Sequence, residues 1–332
     1  MDAWVGSGVD ELTLLDEANI QIQLPSNEQD FVLEMPTVGQ YLEPTIGTSH
    51  PQATTDLDLT AQFVRLISIR KKVLRCVKLP LSFTLIGTSS TKNAIRFVKH
   101  LDVARPPWLC DSEYNILQAD LSRWHNSLPD NLHFTRSAVQ KRKVTDQHGA
   151  LLLLHLTYHQ SLCDLTRIGM RELFKIREPI LFPPEQDEFL RQVQDACFDN
   201  GMAVSDVLQE SLKHGTGSLA DTWLCVVAHD AARVLVYYLS NKMGSTARHN
   251  DDTLRSRVTL ALWANMQALQ RMIPMFALAR PLVSETLAAL LETITNAANQ
   301  VYCGHEDGQT GRFRTPFNCR DGNIWRPYTG RY

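Results

Sequence analysis

Apolar residues recur at spacings of three and four from Asp146 to Phe174, the longest such stretch without proline. This spacing places side chains on one face of an α-helix. The face consists of Leu151, Leu154, His155, Tyr158, Leu162, Leu165 and Ile168. Further leucines extend it around most of the circumference, which is typical of a helix covered on all sides. The pattern therefore predicts one long central helix over 146–174.

Several other segments show the helical period, and none alternates with period two over the length of a strand. We place these helices at 56–78, 91–101, 112–126, 185–212 with an interruption at Asn200-Gly201, 218–243, 250–272 and 281–301. On the first of them, the cationic side chains of Arg65, Arg70, Lys71 and Lys72 are expected to face solvent. The predicted fold class is all-α, a multi-helix globular bundle.

The chain divides into three parts by composition. Residues 1–55 contain Pro25, Pro36, Pro44 and Pro51, which prevent one long helix, and we interpret them as an irregular segment packed on the core. Residues 56–301 form the helical domain. Residues 302–332, rich in Gly, Arg and Asn, form a polar tail. With 332 residues and 44% apolar content, the chain has enough apolar surface for a sizeable core.

Charge and targeting signals narrow the function classes. The 33 basic and 36 acidic residues leave a net charge of -3, so the chain is not expected to contact nucleic acid directly. The acidic N-terminus does not resemble a signal peptide, and no apolar run reaches the roughly 18 to 20 residues of a membrane span. The seven cysteines are odd in number and widely spread, as thiols in a reducing compartment are. We expect an intracellular protein, cytoplasmic or nuclear.

Three segments carry a family resemblance: Leu24 to Glu28, Trp124 to Leu132, and Leu154 to Arg167. Together they resemble the middle homology region, or fungal-specific transcription factor domain, of fungal zinc-cluster transcription factors. That region has an LPCNE-like entry, a W-x-x-x-LP-x-x-L helix end and an LHL-x-YH-x-x-x-x-L-x-R helix. Ser26 stands where the family commonly has cysteine. The resemblance covers most of the first half of the chain.

The zinc cluster of these regulators has no counterpart in this sequence. Cys76 and Cys110 are the only cysteines before residue 150, so six thiolates cannot surround two zinc ions near the N-terminus. The resemblance therefore implies the helical, ligand-sensing or regulatory part of such a protein without its DNA-reading part.

Two histidines of the central helix have a spacing that suits a metal ion. His155 and His159 stand at i and i+4, but neither a third ligand nor the glutamate of an HExxH motif accompanies them. We therefore predict no metal and interpret the pair as buried and hydrogen-bonded. Phosphate-cradling and dinucleotide-binding glycine motifs are also missing, so no cofactor is predicted.

A second polar group interrupts the apolar helix predicted at 218–243. His229, Asp230, Arg233 and Tyr237 lie among apolar residues, where unpaired polar groups cost roughly 1 to 3 kcal/mol each. They either pair with one another or line a ligand pocket, and both alternatives stay open. In the second case, a cavity is expected between this helix and the central helix.

The candidate site follows from that cavity. The predicted catalytic residues are His229, Arg233 and His159. The predicted ligand-binding residues are His155, Tyr158, Trp223, Asp230, Tyr237, Tyr238 and Trp263. Aromatic walls with a few donors can fold an apolar substrate and polarise a carbonyl group.

Two functions agree with these observations. In the first, the chain binds an apolar small metabolite and acts as a cofactor-independent cyclase or isomerase, of pericyclic or Diels-Alder type, in fungal secondary metabolism. In the second, it is a regulator or co-regulator of a metabolic gene cluster that acts through a DNA-binding partner. Whether the chain is an enzyme is left open, and the first function is the one we expect.

Overall fold

The computed structural model describes residues 23–25, 34, 41–42, 58–78, 105–170, 173, 182–241 and 251–306. These ranges contain eight α-helices and no β-strand, so the predicted all-α class is confirmed. The helices are α1 (Leu59–Lys78), α2 (Glu113–Asn126), α3 (Arg136–Val144), α4 (His148–Thr166), α5 (Asp187–Ser211), α6 (Trp223–Asn241), α7 (Asp251–Met272) and α8 (Ala279–Glu306).

The helices belong to two compact units. The first unit comprises the described parts of Met1–Gly169 and Ile176–Asn200, with α1 to α4 and the first half of α5. The second comprises the described parts of Met170–Lys175 and Gly201–Tyr332, with the rest of α5 and α6 to α8. The division into 1–55, 56–301 and 302–332 stays a prediction.

Helix α4 is the central helix of the first unit. Most of its 19 residues are buried, and it packs against α1, α2 and α3, so the predicted covered helix is confirmed. It is shorter than expected. Asp146 has a φ of 57°, which lies outside the helical region, and a 3₁₀ turn at Arg167–Gly169 follows its last residue.

A buried carboxylate joins α4 to α1. Asp164 is 1% exposed, and one of its oxygens lies 2.6 Å from the guanidinium of Arg70. Its other oxygen pairs with Arg167 and accepts a hydrogen bond from the side chain of Gln160. Arg70 also donates to the hydroxyl of Ser161. Both carboxylate oxygens are therefore occupied by donors, as a buried charge requires.

The predicted solvent exposure of two cations on α1 is wrong. Arg70 is 4% exposed and Lys71 is 8% exposed. For Arg70 the physical reason is Asp164, which lies 94 positions away in sequence and offers an opposite charge inside the unit. Lys72, in contrast, is exposed as predicted.

The second unit is built around α6, which packs against α7 and α8. The predicted interruption of α5 at Asn200-Gly201 is wrong, because the helix is continuous from Asp187 to Ser211. Gly201 instead permits a close approach to α6, since a Cβ at this position would lie 3.3 Å from Cγ1 of Val234. A 3₁₀ turn at Leu212–His214 follows α5, and Gly215 after it has a φ of 85°, which suits glycine.

Other helix boundaries differ in detail. The 112–126 helix is confirmed, with Ser112 as its N-cap. Helix α6 begins at Trp223 rather than Ser218, because residues Thr216–Leu219 form a 3₁₀ turn. Helix α3 was not predicted from the sequence, and the helix predicted at 91–101 lies outside the described residues.

Replacing Asp164 with alanine should lower the free energy of unfolding by about 3–5 kcal/mol, because it removes the carboxylate that balances the charge of the buried Arg70. Chemical denaturation followed by circular dichroism measures the change. Asp120→Ala is the matched control, since Asp120 pairs with the exposed Arg123 and should cost less than about 1 kcal/mol. Equal stability of the two variants would contradict the role given to Asp164.

Candidate functional site

The first unit contains a cluster of imidazole and aromatic rings, which we call the histidine cluster. Its members are Trp124, His125, His133, His155, Tyr158 and His159. Helix α2 supplies the first two, α4 supplies the last three, and His133 follows the 3₁₀ turn at Asp130–Leu132. The cluster therefore forms where the chain leaving α2 passes over α4.

His155 fixes this turn to the central helix. Its Nε2–H donates to the carbonyl oxygen of Leu132 over 2.8 Å, and this bond assigns the proton to Nε2. The other ring nitrogen, Nδ1, is buried and has no hydrogen-bond partner among the described residues, and the same is true of Nε1 of Trp124. His155 is thus held in one tautomer inside the unit.

Ring contacts connect the remaining members. The His125 ring stacks on Tyr158 at a centroid distance of 4.6 Å, and Trp124 contacts the same tyrosine at 5.5 Å. The ring centroids of His125 and His133 are 5.3 Å apart. These contacts join two of the segments that carry the family resemblance, Trp124 to Leu132 and Leu154 to Arg167.

His159 has a different partner from His155. Its Nδ1–H donates to the side-chain oxygen of Asn200 over 3.0 Å, and the amide of Asn200 donates to the carbonyl of Ala196. His159 is half-buried. The bond to Asn200 therefore links α4 to α5, at the last α5 residue that belongs to the first unit.

Burial favours the neutral form of three imidazoles of the histidine cluster, His125, His155 and His159. It lowers the pKa of His155 to about 4, and the nearby histidines act in the same direction. Burial also lowers the pKa of His125 and of His159. The phenol responds in the opposite sense, because burial raises the pKa of Tyr158. At neutral pH these groups can exchange hydrogen bonds but carry no charge.

Within the described residues, no group of three or more His, Cys, Asp or Glu side chains is arranged to hold a metal ion. His155 and His159 instead use one ring nitrogen each for the bonds to Leu132 and Asn200. These bonds are the ones that the core-pair interpretation of the two histidines requires.

The second unit holds the other polar group. His229 is 5% exposed, and its Nδ1–H donates to the hydroxyl of Thr286 on α8 over 3.0 Å. That hydroxyl in turn donates to the carbonyl of Leu282. The second ring nitrogen, Nε2, lies 3.8 Å from the carboxylate of Glu285. Burial lowers the pKa of His229, while the carboxylates of Asp230 and Glu285 oppose that shift.

Arg233 lies one turn after His229 and binds backbone. Its guanidinium donates to the carbonyl oxygen of Leu173, which belongs to the same unit. The contacts of His229 and Arg233 connect α6 to α8 and to the segment around residue 173. An imidazole beside Glu285 can accept a proton and form an ion pair, so this group can also titrate.

The predicted aromatic wall is spread over two helices. Trp223, Tyr237 and Tyr238 are half-buried on α6, where the carboxylate of Asp221 accepts a hydrogen bond from the backbone N–H of Trp223. Trp263 is on α7 and is 59% exposed. It lies on the outer side of its helix, together with the exposed Leu260.

The structure assigns the predicted site residues to different units. His155, Tyr158 and His159 belong to the first, and His229, Asp230, Arg233 and the four aromatic residues belong to the second. The shared cavity stays a prediction. Five further residues of these two groups were not predicted from the sequence: His125, His133, Asn200, Glu285 and Thr286. His125 and His133 flank the Leu128-Pro129 turn, and this spacing could have indicated that the two histidines lie close together.

Comparison with known proteins gives one partial similarity. Over 182 residues, which are 52% of this chain, the sequence is 25% identical to an uncharacterized transcriptional regulatory protein of Schizosaccharomyces pombe. The matched part spans only 16% of that protein's length. No protein-family model matches the chain, and no solved structure matches it. The chain is therefore similar to a transcriptional regulator over about half its length.

No described helix is long and apolar enough to cross a membrane.

Lowering the pH should destabilise the first unit through His155. The imidazole titrates near 6.5 in the unfolded chain but near 4 in the fold, so the unfolded state binds more protons in this window. The contribution of His155 to the free energy of unfolding is complete above pH 6.5 and is lost as the pH falls towards 4. Between pH 7 and pH 5 the loss should be about 2 kcal/mol, measured by urea denaturation at both values.

The variant His155→Gln keeps a donor for Leu132 and removes this titration, so its stability should depend less on pH. Ser122→Ala, at an exposed position of α2 without an ionisable side chain, is the control and should keep the pH dependence of the wild type. An unchanged pH dependence in His155→Gln would contradict the assignment.

Proposed function

We propose that this chain is the helical regulatory region of a transcriptional regulator, of the kind present in fungal zinc-cluster transcription factors. It controls transcription through a DNA-binding module that lies outside residues 1–332. The observation that carries this proposal is the 182-residue similarity to a protein named as a transcriptional regulatory protein. The resemblance of three sequence segments to the fungal regulatory domain points to the same class.

The contacts of the first unit support the proposal. His155 bonds to Leu132, and Trp124 contacts Tyr158, so two segments of the resemblance meet in one place. Within the segment Leu154 to Arg167, the last residue, Arg167, pairs with Asp164. Two of the three segments that resemble the fungal regulatory domain therefore pack against each other, as they would in a protein with the same architecture.

The net charge supports a separate DNA-binding module. At -3 the chain has no excess of cations with which to release counterions from duplex DNA. Recruitment to a promoter then requires a partner protein or another segment that reads DNA. This role places the protein in the nucleus.

The regulator is proposed to respond to an apolar metabolite, for which His229, Arg233 and the aromatic residues of α6 are the candidate contacts. Catalysis of a cofactor-free cyclisation stays a prediction from the sequence, and the comparison with the S. pombe protein does not support it. The bonds of His229 to Thr286 and of Arg233 to Leu173 are those that the alternative of an internal network requires.

Fusing residues 1–332 to a heterologous DNA-binding domain should change expression of a reporter gene that carries the matching operator. The physical reason is that tethering replaces the missing DNA contact and raises the local concentration of the regulatory region at the promoter. Reporter transcript, compared with that of the DNA-binding domain alone, is the measurement. A fusion carrying Asp164→Ala should have a smaller effect, because less of it is folded.

If a fusion that is folded and bound at the operator leaves the reporter transcript unchanged, the chain is not a regulatory region and the proposal fails.

A further inference from the structure

The outer side of α7 combines apolar and cationic residues in an unusual way. Leu260 is 64% exposed and Trp263 is 59% exposed, whereas most large apolar residues of the described chain are covered. The two are three positions apart, so they lie on one helical face. A large exposed aromatic residue next to leucine is typical of binding surfaces rather than of ordinary surface.

Helix α8 carries a second exposed pair, two leucines at about the same distance from the α7–α8 connection as Leu260 and Trp263. Leu287 is 42% exposed and Leu291 is 63% exposed. Leu260 lies twelve residues before the end of α7, and Leu291 lies twelve residues after the start of α8. Because α7 packs on α8 and a short connection joins them, these leucines lie about the same number of turns from that connection. We call Leu260, Trp263, Leu287 and Leu291 the outer apolar patch.

Beyond its first two residues, Asp251 and Asp252, α7 carries charge of one sign. From Thr253 to Met272 the helix contains Arg255, Arg257 and Arg271, all exposed, and no carboxylate. Arg257 stands three positions before Leu260, and Arg271 stands eight after Trp263, so both flank the apolar pair. Asp206 on α5 partly balances the charge of Arg257. Burial raises the pKa of the Asp206 carboxyl, and the positive charge of Arg257 acts in the opposite direction. Arg271 uses one donor for the carbonyl of Leu212.

We propose that the outer apolar patch is a docking surface for an acidic amphipathic helix of a partner protein. The partner's leucine-type residues cover Leu260 and Trp263, and its carboxylates pair with Arg257 and Arg271. Trp and Arg are the residues that most often dominate the energy of such interfaces. The complementary charge selects an acidic helix over a basic one. This inference does not depend on whether the chain regulates transcription.

A protein partner fits the patch better than a lipid surface. Membrane-surface helices carry many cations around their apolar side, whereas here α8 contributes Glu285 and Glu292 close to its exposed leucines. A negatively charged bilayer would be repelled by those carboxylates. An acidic helix avoids that repulsion when its carboxylates lie along α7, beside Arg257 and Arg271, and only its uncharged side faces Glu285 and Glu292.

The test uses the full 332-residue chain and two fluorescein-labelled synthetic helices. One has leucine on a single face flanked by glutamate, and the other has lysine in place of each glutamate. Fluorescence anisotropy should show binding of the acidic helix and at least about tenfold weaker binding of the basic one. Trp263→Ala and Arg257→Gln should each weaken binding of the acidic helix by about tenfold, whereas Ile116→Ala, an exposed apolar residue on α2, should not.

Thermal melting of each variant separates loss of the surface from loss of the fold. Several results would overturn the proposal: equal binding of both helices, no binding, or binding that Trp263→Ala leaves unchanged. Sedimentation that shows a dimer abolished by Trp263→Ala would assign the patch to a second copy of this chain. Trp263-dependent binding to phosphatidylserine vesicles, without binding of the acidic helix, would assign it to a membrane.

Discussion

The first unit depends on one buried carboxylate. Asp164 is held between Arg70 of α1 and Arg167 at the end of α4, and Gln160 completes its shell of donors. A buried charge is tolerated only where such partners are fixed in place, so the pairing sets how α1 sits on the central helix. The same helix α4 also carries His155, Tyr158 and His159 of the histidine cluster. If only leucines packed between the two helices, α1 could shift along α4. With the ion pair in place, such a shift would separate Arg70 from Asp164.

The histidine cluster and the group around His229 differ in chemistry. In the histidine cluster, burial and the neighbouring imidazoles lower the pKa of His155 and His125, so these two rings are neutral at physiological pH. The role of the cluster at that pH is to orient the turn after α2. The group around His229 contains carboxylates, Asp230 and Glu285, which favour the protonated imidazole against burial. Burial and these carboxylates therefore act on the pKa of His229 in opposite directions, with burial the larger effect.

Sequence periodicity predicted the elements whose apolar residues form long stripes and missed what depends on distant partners. Helix α4 was evident because it is apolar on nearly all sides. Helix α3 was missed because it is short and strongly basic, with only Ala138 and Val139 buried. The burial of Arg70 could not be read from its own helix, since its partner is 94 positions away. For the same reason His229 was recognised as a polar residue in an apolar helix, but its partner Thr286 on α8 was not. The all-α class and the candidate histidines thus followed from local pattern, whereas their bonds required the tertiary structure.

Promoter occupancy tests most directly the proposed role of the chain as the regulatory region of a transcriptional regulator. Chromatin immunoprecipitation with an epitope tag on the native protein, followed by sequencing, measures that occupancy in the cells that express it. We predict enrichment at a defined set of promoters, since a regulatory region acts where its DNA-binding module is bound. A uniform signal, equal to that of an untagged strain across the genome, would contradict the claim.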